Sequence, residues 1–217
     1  MFQDRQEAGQ ALAQELTEYD GREDVVVLGL PRGGVPVAFE VAEALDVPLD
    51  VFVVRKLGLP RNPELAMGAI ASGGVRVMND DVLGMSSVSD GAIEEVVEEE
   101  REKLEEREKI YRGARPGLDL ESKTVLLVDD GLATGATMRA AVNALREHDP
   151  ATIVVAVPTA PPETCSEFED MDTVDEIICL NTPRSFMGVG GSYRDFSQTT
   201  NQEVREMLER ANEWVDV

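Results

Sequence analysis

Residues 125–137 read VLLVDDGLATGAT, and this stretch decides the fold class of the chain. Its apolar run is too short for most helices and suits a strand that is covered on both faces of a parallel sheet. Asp129 and Asp130 come next, followed by a loop of small residues and by a helix from about Ala136. Because such strands end at the edge of an α/β sheet where ligands bind, the pattern predicts an α/β fold with a binding site here.

The loop after Asp130 is suited to a phosphate group. Its small side chains leave the backbone N–H groups accessible, and the N-terminus of the following helix adds N–H groups and the positive end of the helix dipole. Two adjacent carboxylates would repel the same anion, so we expect them to face hydroxyl groups or a cation. A ligand with a phosphate at one end and vicinal hydroxyls nearby is a ribose 5-phosphate.

Three other interpretations of this stretch are weaker. An ordinary buried strand and turn leaves unexplained why two carboxylates precede a loop without further charge. A nucleoside-triphosphate loop is excluded because no Gly-Lys-Ser/Thr follows. A dinucleotide fingerprint is excluded because the glycines are spaced differently and the acidic pair precedes them.

The stretch resembles the phosphoribosyl-diphosphate (PRPP) signature of the type I phosphoribosyltransferases, in which apolar residues and an acidic pair precede Gly-x-x-Thr-Gly-x-Thr. The resemblance implies the type I phosphoribosyltransferase fold: an α/β fold with a mainly parallel central sheet flanked by helices, a small hood and a flexible loop. It also implies one domain over residues 1–217, with a core at about 20–180 and a hood or tail at about 181–217. The residues that would bind PRPP are Asp129, Asp130, Gly131, Ala133, Thr134, Gly135, Ala136 and Thr137. The implied cofactor is Mg²⁺, which Asp129 and Asp130 would hold mainly through water.

A second stretch, LPRGG at residues 30–34, forms the turn after the first core strand. Gly33 and Gly34 permit unusual dihedrals and a close approach of the backbone to a ligand. Arg32 offers a planar fork of donors for phosphate oxygens. In the type I family this turn is the diphosphate loop and often holds a cis peptide, so the resemblance implies that Arg32, Gly33 and Gly34 bind diphosphate. The cis bond itself cannot be predicted from the sequence.

A third stretch, RKLGLPRNPE at residues 55–64, concentrates cations in an otherwise acidic chain. It resembles the flexible catalytic loop of the family, which implies catalytic roles for Arg55, Lys56 and Arg61 on a mobile loop over residues 56–66. Closure of such a loop excludes the water that would hydrolyse the activated sugar. The alternative is a surface loop whose basic side chains pair with nearby acids.

A Gly-rich tail over residues 182–198 gathers three of the few aromatic residues: Phe186, Tyr193 and Phe196. In the family, a variable hood over the sheet edge recognises the acceptor base, so these rings are candidates for stacking on a base. The alternative is that they anchor the loop to the core.

The composition is strongly acidic, with 43 Asp and Glu residues against 20 Lys and Arg residues and a net charge of −23. Lysine is scarce. An acid excess of this kind resembles proteins from salt-loving organisms, whose surface carboxylates hold water while salt screens their repulsion. An acidic interaction protein is the alternative, but the acid is spread along the chain. Nucleic-acid binding by a basic face is disfavoured.

Other residue classes limit location and chemistry. No apolar run is long enough to cross a membrane and the N-terminus lacks the apolar core of a secretion signal, so we expect a soluble cytoplasmic protein without a membrane partner. His148 is the one histidine, which disfavours His-dependent triads and multi-histidine metal sites. Cys165 and Cys179 lack metal-like spacing, and we expect two small buried apolar side chains in preference to a disulfide.

Hydrophobic periodicity predicts the order of elements. Strands are expected at residues 25–30, 48–55, 67–72, 75–78, 123–129, 153–157 and 176–180. Helices are expected at residues 4–19, 35–45, 90–113, 136–147, 161–169 and 201–214. The strand–helix–strand unit at residues 25–55 indicates a parallel sheet, and Gly73 and Gly74 indicate a hairpin.

The helix at residues 90–113 is highly charged and has a sparse apolar stripe of Ile93, Val96, Val97, Leu104 and Tyr111. We interpret it as a solvated helix with charge pairs four residues apart, in preference to a coiled coil. A subunit contact along the stripe is the alternative.

The resemblance implies an enzyme of the pentosyltransferase class, which transfers ribose 5-phosphate from PRPP to a nitrogenous acceptor in nucleotide salvage and releases diphosphate. It also implies a homodimer, with PRPP and a small-molecule acceptor as partners. Enzymes for 6-oxopurines commonly carry Asp at the position of Ala133, so hypoxanthine and guanine are disfavoured. The overall likeness is to uncharacterised predicted phosphoribosyltransferases that share PRGGVPV and RKLG, which gives no acceptor. A non-catalytic PRPP-binding regulator is the alternative, and a hydrolase or kinase on a similar sheet is disfavoured by the missing motifs.

Overall fold

The computed structural model describes residues 1–86 and 88–215, which alternate between strands and helices. The strands are β1 (Val25–Gly29), β2 (Leu49–Val51), β3 (Val54–Leu59), β4 (Asn62–Ala71), β5 (Val75–Met78), β6 (Thr124–Val128), β7 (Thr152–Thr159) and β8 (Glu176–Asn181). The α-helices are α1 (Arg5–Gln14), α2 (Gly34–Leu45), α3 (Asp80–Met85), α4 (Asp90–Arg112), α5 (Ala136–Arg146), α6 (Pro162–Glu169) and α7 (Asn201–Val215).

A parallel sheet forms the centre of the fold. Its strand order is β2-β1-β6-β7-β8, and each neighbouring pair is parallel. Every residue of β1 and β6 is buried, as expected for apolar strands that helices cover on both faces. The predicted α/β fold with a central parallel sheet is therefore confirmed, and the carboxyl ends of all five strands meet at one edge.

Two apolar cores lie on the opposite faces of this sheet. One packs α1, α2, α4 and α7 against β1 and β2, with Leu12, Val41 and Leu208 among its buried members. The other packs α5 and α6 against β6 and β7, with Leu145 and Phe168 fully buried. Burial of whole side chains of this size stabilises the fold by roughly 1.5–3 kcal/mol each.

The segment expected as a mobile loop at residues 56–66 is instead part of a second, antiparallel sheet of β3, β4 and β5. Strands β3 and β4 pair through a tight turn at Pro60 and Arg61, with a bulge at Gly58. The predicted strand at residues 48–55 is correspondingly divided between β2 and β3. The expected hairpin around Gly73 and Gly74 is confirmed between β4 and β5.

The apolar stripe of α4 packs inside its own chain. Ile93, Val97, Leu104 and Tyr111 are buried in the core that α1, α2 and α7 share, and Val96 is partly buried against it. A subunit contact along this stripe is therefore wrong, because its side chains are already covered. The helix is solvated on its charged face only.

The two cysteines form a disulfide between α6 and β8, contrary to the expectation of separate thiols. Helix α6 follows β7 directly and packs beside β8, which brings the two Cα atoms to 6.6 Å, within the range that a disulfide spans. The sequence separation of 14 residues gave no sign of this contact. Among the helices of residues 1–86 and 88–215, none is long and apolar enough to span a bilayer.

Candidate active site at the carboxyl edge of the sheet

The two predicted phosphate-binding stretches meet at the carboxyl ends of the adjacent strands β1 and β6. A Cβ atom built on Gly33 would lie 2.1 Å from Oδ2 of Asp130, and one built on Gly34 would lie 2.8 Å from the Cα of Asp129. The turn at residues 30–34 thus contacts the acidic pair so closely that only glycine fits at both positions. The peptide bond between Pro31 and Arg32 is cis.

The acidic pair lies in a largely enclosed position. Oδ1 of Asp129 accepts a hydrogen bond of 2.8 Å from the backbone N–H of Asp130. Burial, and then the nearby charge of Asp130, hold the pKa of Asp129 well above its usual range. Burial also raises the pKa of Asp130, while the positive charge of Arg5 acts in the opposite direction. The site therefore favours ligand groups that stabilise the buried carboxylates, such as hydroxyl donors or a cation.

Arg5, at the start of α1, is a site residue that the sequence did not reveal. Its guanidinium donates from Nε to Oδ2 of Asp130 at 2.8 Å, and Nη2 lies at the same distance. Both side chains are little exposed, at 12% for Arg5 and 13% for Asp130. The Arg5 guanidinium also lies over the ring of Phe196, 4.0 Å from its centroid. The first helix therefore covers the acidic pair and neutralises half of its charge.

The loop between Asp130 and α5 has the form of an anion site. Gly135 adopts the left-handed conformation at φ 68°, and a Cβ atom there would lie 2.6 Å from the ring of Phe168. Thr164 of α6 donates to the carbonyl oxygen of Ala133 at 3.0 Å. Among the described residues, the N–H groups of Ala133, Thr134 and Gly135 donate to no protein acceptor. These free donors precede the N-terminus of α5, which favours binding of an anion.

The tail loop lies against the site through Tyr193. Its hydroxyl donates to the carbonyl oxygen of Asp130 at 2.6 Å, and its ring packs between Phe2 and Phe196. Tyr193 is only 5% exposed, and burial raises the pKa of its hydroxyl. This geometry gives Tyr193 the anchoring role. Phe186 lines a separate cavity of 440 Å³ beside Phe2, and its contact with a base stays a prediction, as does that of Phe196.

The cations of the third stretch are distributed on both sides of β3. Arg55 pairs with Glu100 of α4, with Nη2 and Oε2 2.5 Å apart, and lines a cavity of 540 Å³ together with Arg32. Lys56 is exposed and lines a different cavity, of 560 Å³, beside Ala136 at the start of α5. Arg61 is exposed in the tight turn between β3 and β4. Adjacent strand residues point to opposite faces, so Arg55 and Lys56 reach different cavities on the two sides, although both also line a cavity of 540 Å³ between β3 and α4.

The acidic pair can hold a metal ion only with help from a ligand. Within residues 1–86 and 88–215, no group of three or more His, Cys, Asp and Glu side chains is arranged to bind a metal. Mg²⁺ retains several waters and takes oxygen ligands from one or two carboxylates and from substrate phosphates. Asp129 and Asp130 fit that description for an ion that enters with a phosphorylated substrate. The single histidine does not belong to the site, because Nε2 of His148 lies 3.0 Å from the carbonyl oxygen of Ser72.

Comparison with known proteins supports one family over most of the chain. Residues 2–190 match the family model of the phosphoribosyl transferase domain. A Mycobacterium tuberculosis H37Rv protein, provisionally named a phosphoribosyl transferase, is 47% identical over 212 residues, which are 98% of this chain and 47% of that protein. The chain therefore spans about half the length of the first curated relatives that it matches.

Two further comparisons concern fold and a more distant relative. The crystal structure of TT1426 from Thermus thermophilus has a TM-score of 0.85 and 41% identity, covering 96% of this chain and 98% of that one. A Clostridium novyi protein named bifunctional protein PyrR is 30% identical over 148 residues, which are 67% of this chain and 64% of that protein. The match to the family model includes residues 30–34, residues 125–137 and the antiparallel sheet of β3, β4 and β5 that lies between them in sequence.

Proposed function

The chain belongs to the phosphoribosyltransferase family, and from this premise we propose that it transfers ribose 5-phosphate from PRPP to a nitrogenous acceptor and releases diphosphate in a Mg²⁺-dependent reaction. The observation that carries the proposal is the contact between the turn at residues 30–34 and the acidic pair. This contact puts the turn, the two carboxylates and the loop at residues 131–135 at one sheet edge, which supports a site for the diphosphate, the sugar hydroxyls and the 5′-phosphate of PRPP.

In this proposal, the acidic pair and the loop hold the sugar. Asp129 and Asp130 accept hydrogen bonds from the 2′- and 3′-hydroxyls, directly or through the waters of the metal. The accessible N–H groups from Ala133 to Gly135, with the hydroxyls of Thr134 and Thr137, hold the 5′-phosphate. A sugar held at both ends presents its anomeric carbon in a fixed orientation, which lowers the barrier to displacement.

The leaving group is held on the other side of the acidic pair. Arg32 and the backbone of Gly33 and Gly34 would bind diphosphate. Breaking the anomeric C–O bond develops oxocarbenium character at the sugar and negative charge on diphosphate, as in glycoside hydrolysis. Arg32 and Arg55, which line one cavity, would neutralise that charge as it forms. Lys56 and Arg61 are the further cations proposed for catalysis, and Mg²⁺ would supply additional positive charge when bound.

The acceptor is proposed to be a nucleobase other than a 6-oxopurine. Ala133 is exposed beside the loop and has no group that could accept a proton from a purine ring. The residues offered for base contact, Phe186 and Phe196, are part-buried and 38% exposed, respectively. We further propose a cytoplasmic homodimer in a salt-rich cell, a setting that suits the net charge of −23.

The proposal is tested by PRPP turnover against a panel of bases, with Mg²⁺ present and in high salt. Release of diphosphate that depends on one added base supports the transferase. PRPP binding without turnover for any acceptor would instead indicate a regulatory protein that retains the sugar site.

Binding is tested separately by calorimetry with PRPP on the wild type and on the double variant D129N/D130N. We expect the double variant to lose PRPP binding by the equivalent of about 2–5 kcal/mol, because charged hydrogen-bond partners are removed. Unchanged binding would contradict the proposed role of both carboxylates. Gly91→Ala, which changes an open position on α4, is the matched control.

A further inference from the structure

The cavity of 540 Å³ beside Arg32 includes side chains of α4 that the family resemblance did not predict. It lies between Pro31 and Arg32 of the turn, Arg55 of β3 and one face of α4. Four cations line it, Arg32, Arg55, Lys103 and Arg107, against a single acid, Glu106. In a chain with a net charge of −23, a mostly cationic lining is a local reversal of charge.

The cations from α4 share one face of the helix. Lys103, Arg107 and Tyr111 are spaced by four residues, which places them in line along the helix. Tyr111 is buried at the base of the cavity, where its hydroxyl donates to Oδ1 of Asn201 at 3.3 Å. Burial raises the pKa of Tyr111, and the charges of Arg107 and Arg32 oppose that shift, so both guanidiniums act on the same hydroxyl.

The four cations differ in whether a carboxylate of the protein already pairs with them. Arg55 and Lys103 both contact Glu100, at 2.5 and 2.8 Å, and this shared carboxylate fixes them at the wall of the cavity. Burial acts to raise the pKa of Glu100, yet the hydrogen bonds from Lys103 and Arg55 hold it below its usual range. Within the part of the chain that the structure describes, the guanidiniums of Arg32 and Arg107 have no carboxylate within 4.0 Å.

We infer that this cavity binds the diphosphate group of the substrate and product, and that Lys103 and Arg107 of α4 are binding residues for it together with Arg32. The inference rests on the proposed function, since it extends the diphosphate site from the turn to a helix outside the PRPP signature. A polyanion in the cavity would satisfy the two unpaired guanidiniums at once, and its several oxygens suit planar donor forks approaching from opposite walls. In this inference, Lys103 and Arg107 of α4 bind the ligand, whereas the other exposed charged side chains of the helix are solvated.

The experiment is calorimetric titration of the full chain with inorganic diphosphate at one fixed salt concentration, with inorganic phosphate in a parallel arm. We expect Arg107→Gln to weaken diphosphate binding about tenfold, as removal of one charge-assisted hydrogen bond does. Lys103→Gln should weaken it less, because Lys103 is already paired with Glu100. Arg107→Lys, which retains the charge but loses the fork, should recover part of the affinity.

Two further variants are controls for charge. Lys109→Gln removes the same charge from the same helix, but Lys109 lines a different cavity, so the diphosphate affinity should change by less than about twofold. Glu106→Gln removes the acid of the lining and should tighten binding. Equal effects of R107Q and K109Q, or binding of phosphate as tight as that of diphosphate, would overturn the inference. Thermal unfolding of each variant excludes a loss of fold.

The two proposals fail separately. Absence of diphosphate binding in a wild type that still turns over PRPP would overturn the inference and leave the transferase function intact. The expected variant pattern without any PRPP turnover would refute the transferase function and leave the diphosphate site in place.

Discussion

Asp129 is the residue at which stability and the proposed function conflict most directly. Because burial and Asp130 raise its pKa in the folded state, the folded protein loses stability as the pH rises from the unfolded pKa through the folded one. Where the pH exceeds this raised pKa, the ionised Asp129 is therefore a cost to stability. In that pH range we expect Asp129→Asn to raise the melting temperature by about 2–4 °C, the shift that about 1 kcal/mol produces in a chain of this length.

The pH dependence distinguishes this cause from a general effect of the substitution. As the pH falls through the raised pKa, Asp129 of the wild type becomes protonated, so the gain of the variant should shrink when melting temperatures are measured over a series of decreasing pH. A constant gain over this range would contradict the assigned cause. The same variant should lose affinity for PRPP, which is measured in parallel by calorimetry.

Asp130→Asn should have the opposite sign, although it also removes a carboxylate whose pKa is raised. Its partner Arg5 is only 12% exposed, and the substitution leaves that guanidinium without a charge partner. We expect a loss of about 1–3 kcal/mol in the free energy of unfolding, measured in denaturant. The double variant R5Q/D130N should recover part of this loss, and equal effects of the Asn variants at both positions would contradict the role given to Arg5.

The space around residue 33 is too small for any side chain, so this position requires glycine. Its backbone lies at φ −63° and ψ −34°, which alanine also adopts, so Gly33→Ala tests only the contact with Asp130. A methyl group 2.1 Å from Oδ2 of Asp130 must displace that carboxylate or the turn. We expect the rate of PRPP turnover to fall about 100-fold, as misplacement of a reacting group by about 1 Å does. A methyl group at Gly91 would meet none of the described residues outside its own helix within 4 Å, so Gly91→Ala should leave turnover unchanged.

At the scale of single residues, the sequence predicts the groups that lie within one strand–turn–helix unit. The acidic pair and the loop of small residues after it follow from residues 125–137 alone, whereas their contact with the turn at residues 30–34 depends on the pairing of β1 with β6, which the sequence does not give. Arg5 could not be predicted, because it meets Asp130 across a separation of 125 residues and lies on an ordinary amphipathic helix. Only the packing of α1 over the sheet edge creates that contact.

Among the elements, α6 supports the loop at residues 131–135, although α6 lies outside residues 125–137. Thr164 donates to Ala133, and Phe168 fills the space beside Gly135. The disulfide between Cys165 and Cys179 ties this helix to β8 across 14 residues. We expect C165S/C179S to lower the free energy of unfolding by about 3 kcal/mol, the cost associated with opening a loop of this length.

The measurement is thermal unfolding of the wild type with and without a thiol reductant. The reductant should lower the melting temperature of the wild type toward that of the double variant, and should leave the double variant unaffected. Equal melting temperatures of oxidised wild type and variant would show that the bond contributes nothing to stability. A weaker affinity of the variant for inorganic phosphate would further indicate that α6 orders the loop.

Elements can be predicted from the sequence when local residue patterns specify them, and cannot when they depend on partners distant in sequence. Strands β1 and β6 and helices α2 and α5 are specified by continuous apolar runs and helical spacing, and they were predicted within one or two residues. Residues 56–66 resemble a loop in sequence because Gly58, Pro60 and Pro63 are typical of turns, whereas pairing with β4 and burial of Leu57 and Leu59 make a strand there. The burial of the α4 stripe likewise depends on partners distant in sequence.

For the whole molecule, the excess of acidic side chains affects the free energy of unfolding to a degree that depends on the salt concentration. Carboxylates cover the exposed face of α4, where Glu95, Glu102 and Glu105 are exposed. Within the described residues, ten of the 20 Lys and Arg side chains pair with carboxylates, at side-chain exposures from 12% to 62%, so the cations do not neutralise the surface as a whole. Self-repulsion among the remaining charges therefore opposes the compact state at low salt.

Stability should consequently rise with salt. Between about 0.1 M and about 1 M, the Debye length falls from about 10 Å to about 3 Å, which removes most repulsion between separated surface charges. We expect the melting temperature in KCl to increase by several degrees over this range. Because salts also act by exclusion from the surface, the triple variant E95Q/E102Q/E105Q is the control: it should melt higher than the wild type at low salt and gain less from added KCl. The same gain in both proteins would mean that screening of surface carboxylates is not the cause, and the acid excess would then need the other explanation, an acidic surface that binds a partner.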